Sequence, residues 1–457
     1  MECRFAKPGF DDPENLLENV TVPVQPGGLA SPHEVPEMVE VPTSIKPVMG
    51  DVGIVAVTDE AWDGTYTTRH FMLHHLTRFF RVAWLEPVEE WREMVSRWRG
   101  GPGDAPTVRT AGVEGVTRCR PLRWIPDGYR PEWLRRVVRS VRYASAESFL
   151  RKAGCRQVVL YVWRPSYVDA LDSRQRFDAV IYHIDDEYSF SETSSPMSAD
   201  ELRLIREANA VIVHSPGLMA LKGGINRKTF MVPNGVDYDL YARPGPSPAD
   251  LQAIPAPRIG YVGVIKRQLD FALLEQLAER RADWSFVLVG PLRQFPGDGT
   301  EIEGLTKRPN VHFLGYRDVA ALPAYQQLFD VCIMPYRMNA YTDCIYPLKL
   351  HEYLASGKPI VATPVRTLRD FSTVVSLASG VDAWVAALES CLTPAARSEA
   401  QVSARRAIAK QHDWRVLAGR IAAIITAELG HEREEQVSDS MPSLVPADRR
   451  TNAMGGG

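Results

Sequence analysis

The chain has 457 residues, 45% hydrophobic and 24% charged, an ordinary globular composition that excludes a fibrous or wholly disordered protein. Its 53 Lys and Arg against 56 Asp and Glu leave a net charge of −3, which argues against a polybasic nucleic-acid binder. The six cysteines lie far apart with no Cys-x-x-Cys pair, so neither a zinc knuckle nor a disulfide scaffold is expected, and the thiols suit a cytosolic protein. No apolar run reaches the roughly 20 residues of a spanning helix. Met1–Phe10 lacks a basic region followed by an apolar stretch, so no secretory signal is expected.

Residues 1–48 are rich in Pro, Glu and Val without a sustained period and read as an extended or disordered arm. The first strand signal is Val52–Val57. A helical face follows, carrying Met72, Leu73, Leu76, Phe79 and Phe80. Strand candidates then recur at Val82–Leu85, Val158–Val162, Ala179–Ile184, Ala210–His214 and Thr229–Val232. Short β-branched runs separated by helix-sized segments imply βαβ units and a parallel sheet. Residues 49–243 are therefore expected to form one Rossmann-like domain.

Five prolines between 244 and 257 read as an interdomain linker. The pattern then restarts at Ile259–Val262, Phe286–Val289, Val311–Leu314, Val331–Met334 and Ile360–Thr363, giving a second α/β domain over 258–411. Leu417, Ile421, Ile424, Ile425 and Leu429 give a last helix, in 412–430, an apolar face that needs a partner surface. The stretch 431–457 reads as a tail. The expected fold class is α/β, with two doubly wound domains facing across a cleft and a ligand at the carboxyl ends of the strands.

The densest chemistry lies in Tyr346-Pro347-Leu348-Lys349-Leu350-His351-Glu352-Tyr353-Leu354-Ala355-Ser356-Gly357-Lys358-Pro359-Ile360-Val361-Ala362-Thr363. A Pro starts a helix well and Gly357 can end it. Amides at such a helix start can hold a phosphate, and Glu352, one turn in, can accept hydrogen bonds from a ribose diol. A bare Lys–Glu pair on an amphipathic helix explains the same residues without a ligand. Between the two alternatives, residue physics alone is even.

This segment resembles the donor motif of the retaining GT-B glycosyltransferases of family 4, above all the bacterial subgroup that includes teichuronic acid biosynthesis enzymes. Ile259–Gly263, Trp284–Pro291, Asn310–Tyr316, Leu322–Tyr325, Phe329–Tyr336 and Val232–Asp237 are similar to further family segments. Trp62-Asp63-Gly64 with Arg69-His70 resembles the subgroup's first loop. The resemblance covers roughly residues 50–430. It implies a metal-independent hexosyltransferase of polysaccharide biosynthesis that needs no cofactor beyond a nucleotide-sugar co-substrate. The implied donor residues are Gly263, Lys266, Arg267, Gly315, Tyr316, Tyr336, Tyr346, Pro347, Leu348, Lys349 and Glu352. Acceptor contacts are expected from Trp62, Gly64, Arg69, Trp163 and Arg164, and the catalytic candidates are Asp185 and Asp186.

The sequence departs from the family at three places. Many members carry a second acid eight positions before the conserved Glu, where this chain has Cys344, with Asp343 beside it. The basic pair after the first donor-domain glycine is shifted to Lys266 and Arg267. Trp163 stands where a His is usual. These departures keep open a degenerate nucleotide-sugar-binding protein as the alternative; an epimerase or phosphorylase is a third reading on fold alone. The acceptor is a glycan, a lipid-linked glycan or a small molecule. Trp91, Trp98, Trp124, Tyr129 and Trp133, with Arg135, Arg136 and Arg139, suggest peripheral membrane contact at the inner face of a cytoplasmic location. The blander expectation is an amphipathic helix with Trp packed inward and Arg solvated.

Overall fold

Strands rich in Val and Ile with both faces apolar need a helix on each side, and this chain forms two such sheets in sequence. A computed structural model describes residues 46–62, 67–87, 115–119, 131–188, 197–293 and 300–430. Residues 1–45 of the expected arm, the tail, Gly64, Trp91, Trp98, Trp124 and Tyr129 lie outside these residues.

The first sheet has order β3-β2-β1-β4-β5-β6-β7. Its strands are β1 (Val52–Val57), β2 (Arg81–Leu85), β3 (Val116–Cys119), β4 (Gln157–Val162), β5 (Ala179–Ile184), β6 (Ala210–Val213) and β7 (Thr229–Met231). Every pairing is parallel, and Ile54 sits in register between Val82 and Val159. Helices α1 (Thr68–Leu76), α2 (Glu132–Lys152), α3 (Ala199–Glu207) and α4 (Pro216–Lys222) cover it.

The second sheet has order β10-β9-β8-β11-β12-β13, again all parallel. It contains β8 (Arg258–Val262), β9 (Ser285–Val289), β10 (Val311–Gly315), β11 (Val331–Met334), β12 (Ile360–Ala362) and β13 (Ser376–Leu377). Its helices include α5 (Phe271–Arg280), α6 (Leu322–Leu328), α7 (Leu348–Ser356) and α8 (Val381–Leu392). The strand order reverses between β1 and β4 and between β8 and β11, and these switch points open the crevices where ligands of such sheets bind.

The Pro-rich stretch is not a free spacer. Leu251 and Ile254 are buried in the second core, and Asp250 takes hydrogen bonds from Arg317 Nη2 (2.6 Å) and Tyr325 Oη (3.0 Å). The last helix, α9 (Trp414–Glu428), buries Trp414, Leu417, Ile421 and Ile425 in the first core instead. The chain thus passes between the two sheets twice, and the two crossings bridge each other. Val236 N–H donates to His412 O (3.0 Å) and Trp414 N–H to Val236 O (3.1 Å). Gly235 permits this contact, because a Cβ there would lie 2.8 Å from His412 O.

Candidate active site

The expected donor half is built at the carboxyl ends of β8, β9 and β11. Gly263 (φ +137°) and Gly290 (φ +146°) end β8 and β9 in a backbone conformation that L side chains avoid. A Cβ on Gly290 would lie 2.1 Å from Gly263 O, so the two turns interlock only as glycines. Helix α7 follows the loop after β11. Pro347 is extended (φ −67°, ψ 123°) and is the N-cap, so the helix starts one residue later than the Pro; Gly357, left-handed at φ 75°, ends it.

Lys349, in the first turn, donates to Tyr336 Oη (3.2 Å) and stands 5.0 Å from the Tyr261 ring centre. Its side chain runs beside the Gly263 turn, 3.1 Å from where a Cβ would sit. Burial works against its ammonium, but Tyr261, Tyr336 and Glu352 outweigh it and hold the group above the usual lysine range. Glu352 is one turn further on. It accepts from Gln326 Nε2 (3.2 Å) and from the Tyr241 hydroxyl. Burial pushes its carboxyl up, while Lys349 and these two donors oppose the rise. Lys266 is exposed and Arg267 half-buried on the loop after Gly263. Gly315 (φ +70°) has open space around it at the end of β10, and Tyr316 beside it is 59% exposed.

Two implied donor residues face elsewhere. The Tyr346 ring is buried, its hydroxyl bonded to His351 Nε2 (2.8 Å) and its carbonyl taken by Asn234 Nδ2 (2.7 Å). Leu348 packs against the first core. Both tie the start of α7 to the first domain, and only their backbone is left for a ligand.

The opposite wall comes from the ends of β1, β4 and β5 and from α1. Arg69, 2% exposed, is its centre. Its Nε and Nη2 clamp both oxygens of Asp185 (2.9 Å each), and Nη1 reaches Asp59 and Glu60 (2.8 Å each). Tyr188 Oη adds a 2.5 Å bond to Asp185 Oδ1. Burial would raise the Asp185 carboxyl, but Arg69 and Tyr188 prevail and hold it below the usual range. A carboxylate so paired is a weak proton acceptor, which suits Asp185 to a framework role rather than to that of a base.

Asp186 differs. It is half-buried, accepts from Glu187 N–H (2.8 Å), and receives the Tyr341 hydroxyl from the donor half. It also acts electrostatically on Lys266. Of the two expected catalytic acids, the one that meets the donor half is Asp186.

The expected acceptor aromatics are core residues. Trp62, 3% exposed, packs among His70 and Trp84. Trp163, 0% exposed, stacks on His183 at 4.0 Å between ring centres. Neither offers a face to a sugar. Arg69 is sealed by its carboxylates, and Arg164 is paired with Asp59 at 3.0 Å. The missing-acid position is also closed. Cys344 is 4% exposed, its carbonyl accepts from Ser215 Oγ (2.5 Å), and burial pushes its thiol up to about 11. Asp343 Oδ1 accepts from Arg366 N–H (3.2 Å). Gly217, at the start of α4, fits this loop only because it lacks a Cβ, which would stand 2.2 Å from Asp343 O.

Tyr241, Gln326 and Tyr341 were missed by sequence reasoning. They reach the site from separate elements, and no local motif marks them. On α2 two residues reverse the expected polarity, Trp133 and Arg139. Trp133, Val137 and Val141 are 64%, 52% and 53% exposed, while Arg139 is buried on Asp169 (3.1 Å) and Ser166 O (2.7 Å). The inward face is taken by Val138, Tyr143, Ala146 and Leu150.

Residues 256–393 match the family Glycosyl transferases group 1. The chain is 32% identical over 269 residues to TuaH of Bacillus subtilis (strain 168), whose assigned role is a glycosyltransferase of teichuronic acid biosynthesis. That match takes in 54% of this chain and spans only 66% of the length of the relative. Sucrose-phosphate synthase from Thermosynechococcus elongatus shares the fold with a TM-score of 0.61 at 18% identity, over 83% of this chain and 99% of its own. A glycosyltransferase from Rickettsia africae ESF-5 gives 0.61 at 10% identity, with the same coverage. Residues 256–393 therefore resemble the group 1 glycosyl transferases, and the chain has the α/β fold of GT-B glycosyltransferases.

Proposed function

We propose that the protein transfers a hexosyl group from a nucleotide-diphosphate-sugar to an acceptor hydroxyl, with retention of configuration and without a metal ion. The pair Lys349 and Glu352 carries the reading. It stands on one helix start at the carboxyl ends of β8 and β11, a cation and a desolvated carboxylate one turn apart. In this reading Glu352 holds the ribose hydroxyls. Lys349, Lys266 and Arg267 with the first amides of α7 stabilise the charge that develops on the departing diphosphate. Gly315 and Tyr316 border the base. The leaving phosphate takes the acceptor proton, and Asp186 orients the acceptor hydroxyl.

The resemblance to a teichuronic acid enzyme favours a polysaccharide or lipid-linked glycan acceptor. The exposed Trp133, Val137 and Val141 of α2, with Arg136 on the same helix, support peripheral contact with the inner face of a membrane from the cytoplasm. The test is a thermal-shift screen of UDP, GDP, dTDP and ADP on wild type and Glu352→Ala. A ligand that binds only the folded state raises apparent stability by mass action. A shift with one nucleotide, lost in the variant, is the expected result. No shift with any of them would refute the donor assignment, and binding without transfer of any sugar would support the degenerate alternative.

A further inference from the structure

The three acids that follow β5 are held in different ways. Asp185 is clamped by Arg69 and Tyr188. Glu187 is buried, with its Oε2 3.0 Å from the Nζ of Lys222, the last residue of α4. Among the described residues no cation pairs with Asp186, which lies between them, half-buried and in contact with the Tyr341 hydroxyl. Two buried cations thus fix the residues on either side of the acid that meets the second domain.

Lys222 holds more than one partner. Its side chain is 1% exposed, its Nζ donates to Glu201 Oε1 on α3 (2.5 Å), and the Tyr188 ring centre lies 5.8 Å away. Two carboxyl groups and one amine are therefore enclosed together. Taking such groups out of water is costly, and apolar side chains of similar volume fill the space as well or better. What the ion cluster adds is definition, because each charged hydrogen bond accepts only a narrow range of partner positions. The candidate site described above uses none of Lys222, Glu187 and Glu201.

Helix α4 also reaches Tyr341. Its N-cap Ser215 donates to Cys344 O (2.5 Å), and Cys344 N–H donates to Tyr341 O (2.9 Å). Gly217 lets Asp343 O approach to where a Cβ would stand. Glu187 and Lys222 both act electrostatically on the buried Cys344 thiol, so the ion cluster lies close behind this loop. One short helix, roughly 10 Å from Ser215 to Lys222 at 1.5 Å per residue, thus seats Tyr341 from its start and Glu187 from its end. We propose that Lys222 is a positioning residue, which through Glu187 sets Asp186 where the Tyr341 hydroxyl reaches it. On the proposed function this aligns the acid that orients the acceptor hydroxyl; the alignment itself needs no transfer activity to be seen.

The test places 3-fluorotyrosine at position 341 of the full chain and reads its fluorine NMR signal beside thermal unfolding. Asp186→Asn marks the signal of a Tyr341 without its carboxylate partner. Lys222→Met breaks the cluster, whereas Glu187→Leu cuts only the tether and leaves Lys222 paired with Glu201. Both are expected to move the signal at least about half of the way to the Asp186→Asn position. Asp169→Asn, which breaks the buried pair with Arg139 elsewhere in the first domain, is expected to lower the melting temperature and leave the signal in place. Lys222→Met combined with Glu187→Leu and Glu201→Leu removes every charge of the cluster; it is expected to recover the melting temperature with the signal still displaced. The proposal is overturned if Asp186→Asn does not move the signal, if Lys222→Met and Glu187→Leu leave it at the wild-type position, if Asp169→Asn moves it as far, or if the uncharged cluster returns it to wild type. A chain that transfers no sugar still gives the signal, so this proposal and the proposed function fail separately.

Discussion

Glu352→Gln separates binding from stability at one position. The carboxyl is raised by burial in the folded protein, so between its unfolded and folded pKa values the folded state holds the extra proton. Its contribution to stability therefore falls as pH rises through that window. The isosteric amide keeps Gln326 and Tyr241 as neighbours and removes the charge. The melting temperature without ligand is expected to stay level or rise. Binding should move the other way. Hydrogen bonds to a charged group contribute about 1.5–3 kcal/mol, and charge assistance supplies roughly half. At 1.4 kcal/mol per tenfold, the amide weakens nucleoside-diphosphate binding about 3- to 12-fold and Glu352→Ala about 10- to 150-fold. Calorimetric titration alongside thermal unfolding reads both. A Gln variant that melts lower yet binds the nucleotide like wild type would refute the reasoning on both counts.

Four further outcomes are expected. Asp186→Asn lowers turnover at least tenfold with nucleotide affinity unchanged, whereas equal losses in both would make Asp186 a donor ligand; steady-state kinetics with nucleotide titration decides. Arg69→Met leaves Glu60 and Asp185 without their cation and Asp59 with Arg164 alone, and costs about 3–5 kcal/mol in urea unfolding, part of it recovered by adding Asp185→Asn. Gly290→Ala forces a Cβ against Gly263 O and a strained backbone, and should cost at least about 2 kcal/mol and abolish nucleotide binding. Acid should weaken the fold early. Burial drives His183 down to about 3 and His70 to about 4, so the unfolded chain binds more protons below about pH 6.5, and melting temperature should fall from there towards pH 4. A flat profile between pH 6.5 and 5 would count against buried neutral histidines.

The sheets were legible because nearly every interior strand is an apolar β-branched run. The two missed strands explain themselves. Val116-Thr117-Arg118-Cys119 is an edge strand with no fully buried residue, and Ser376-Leu377 is two residues long. The helix read through Phe80 ends at Leu76; Phe79 and Phe80 are buried from the turn that follows, where burial continues without helical spacing. Within the site, Lys349 and Glu352 were legible because one helix carries both. The role split between Asp185 and Asp186 was not, because it depends on Arg69, more than a hundred residues away, and on Tyr341 from the other sheet. The same holds for α2. Five arginines and a Trp on one helix do not reveal that Asp169 will draw Arg139 inward and leave Trp133 outside.

The missing second acid bears on how the cleft works. The loop of Asp343 and Cys344 is pressed onto α4, with Cys344 sealed beneath Ser215 and Gly217. Restoring an acid there by Cys344→Glu would bury a carboxylate near Glu187 rather than present it to a ligand. An acid does reach the second domain from the first: Asp186, which accepts the Tyr341 hydroxyl. The arrangement therefore makes one acid of the site conditional on the approach of the two sheets. On the proposed function, Lys349 and Glu352 serve the nucleotide from the second domain, whereas Asp186 is contributed by the first. Tyr341→Phe tests this dependence. It removes the hydroxyl that holds Asp186 without touching Lys349 or Glu352, so nucleotide affinity should hold while turnover falls. If the variant instead lost nucleotide binding and kept its turnover, the division between a resident donor site and an acid delivered by closure would be wrong.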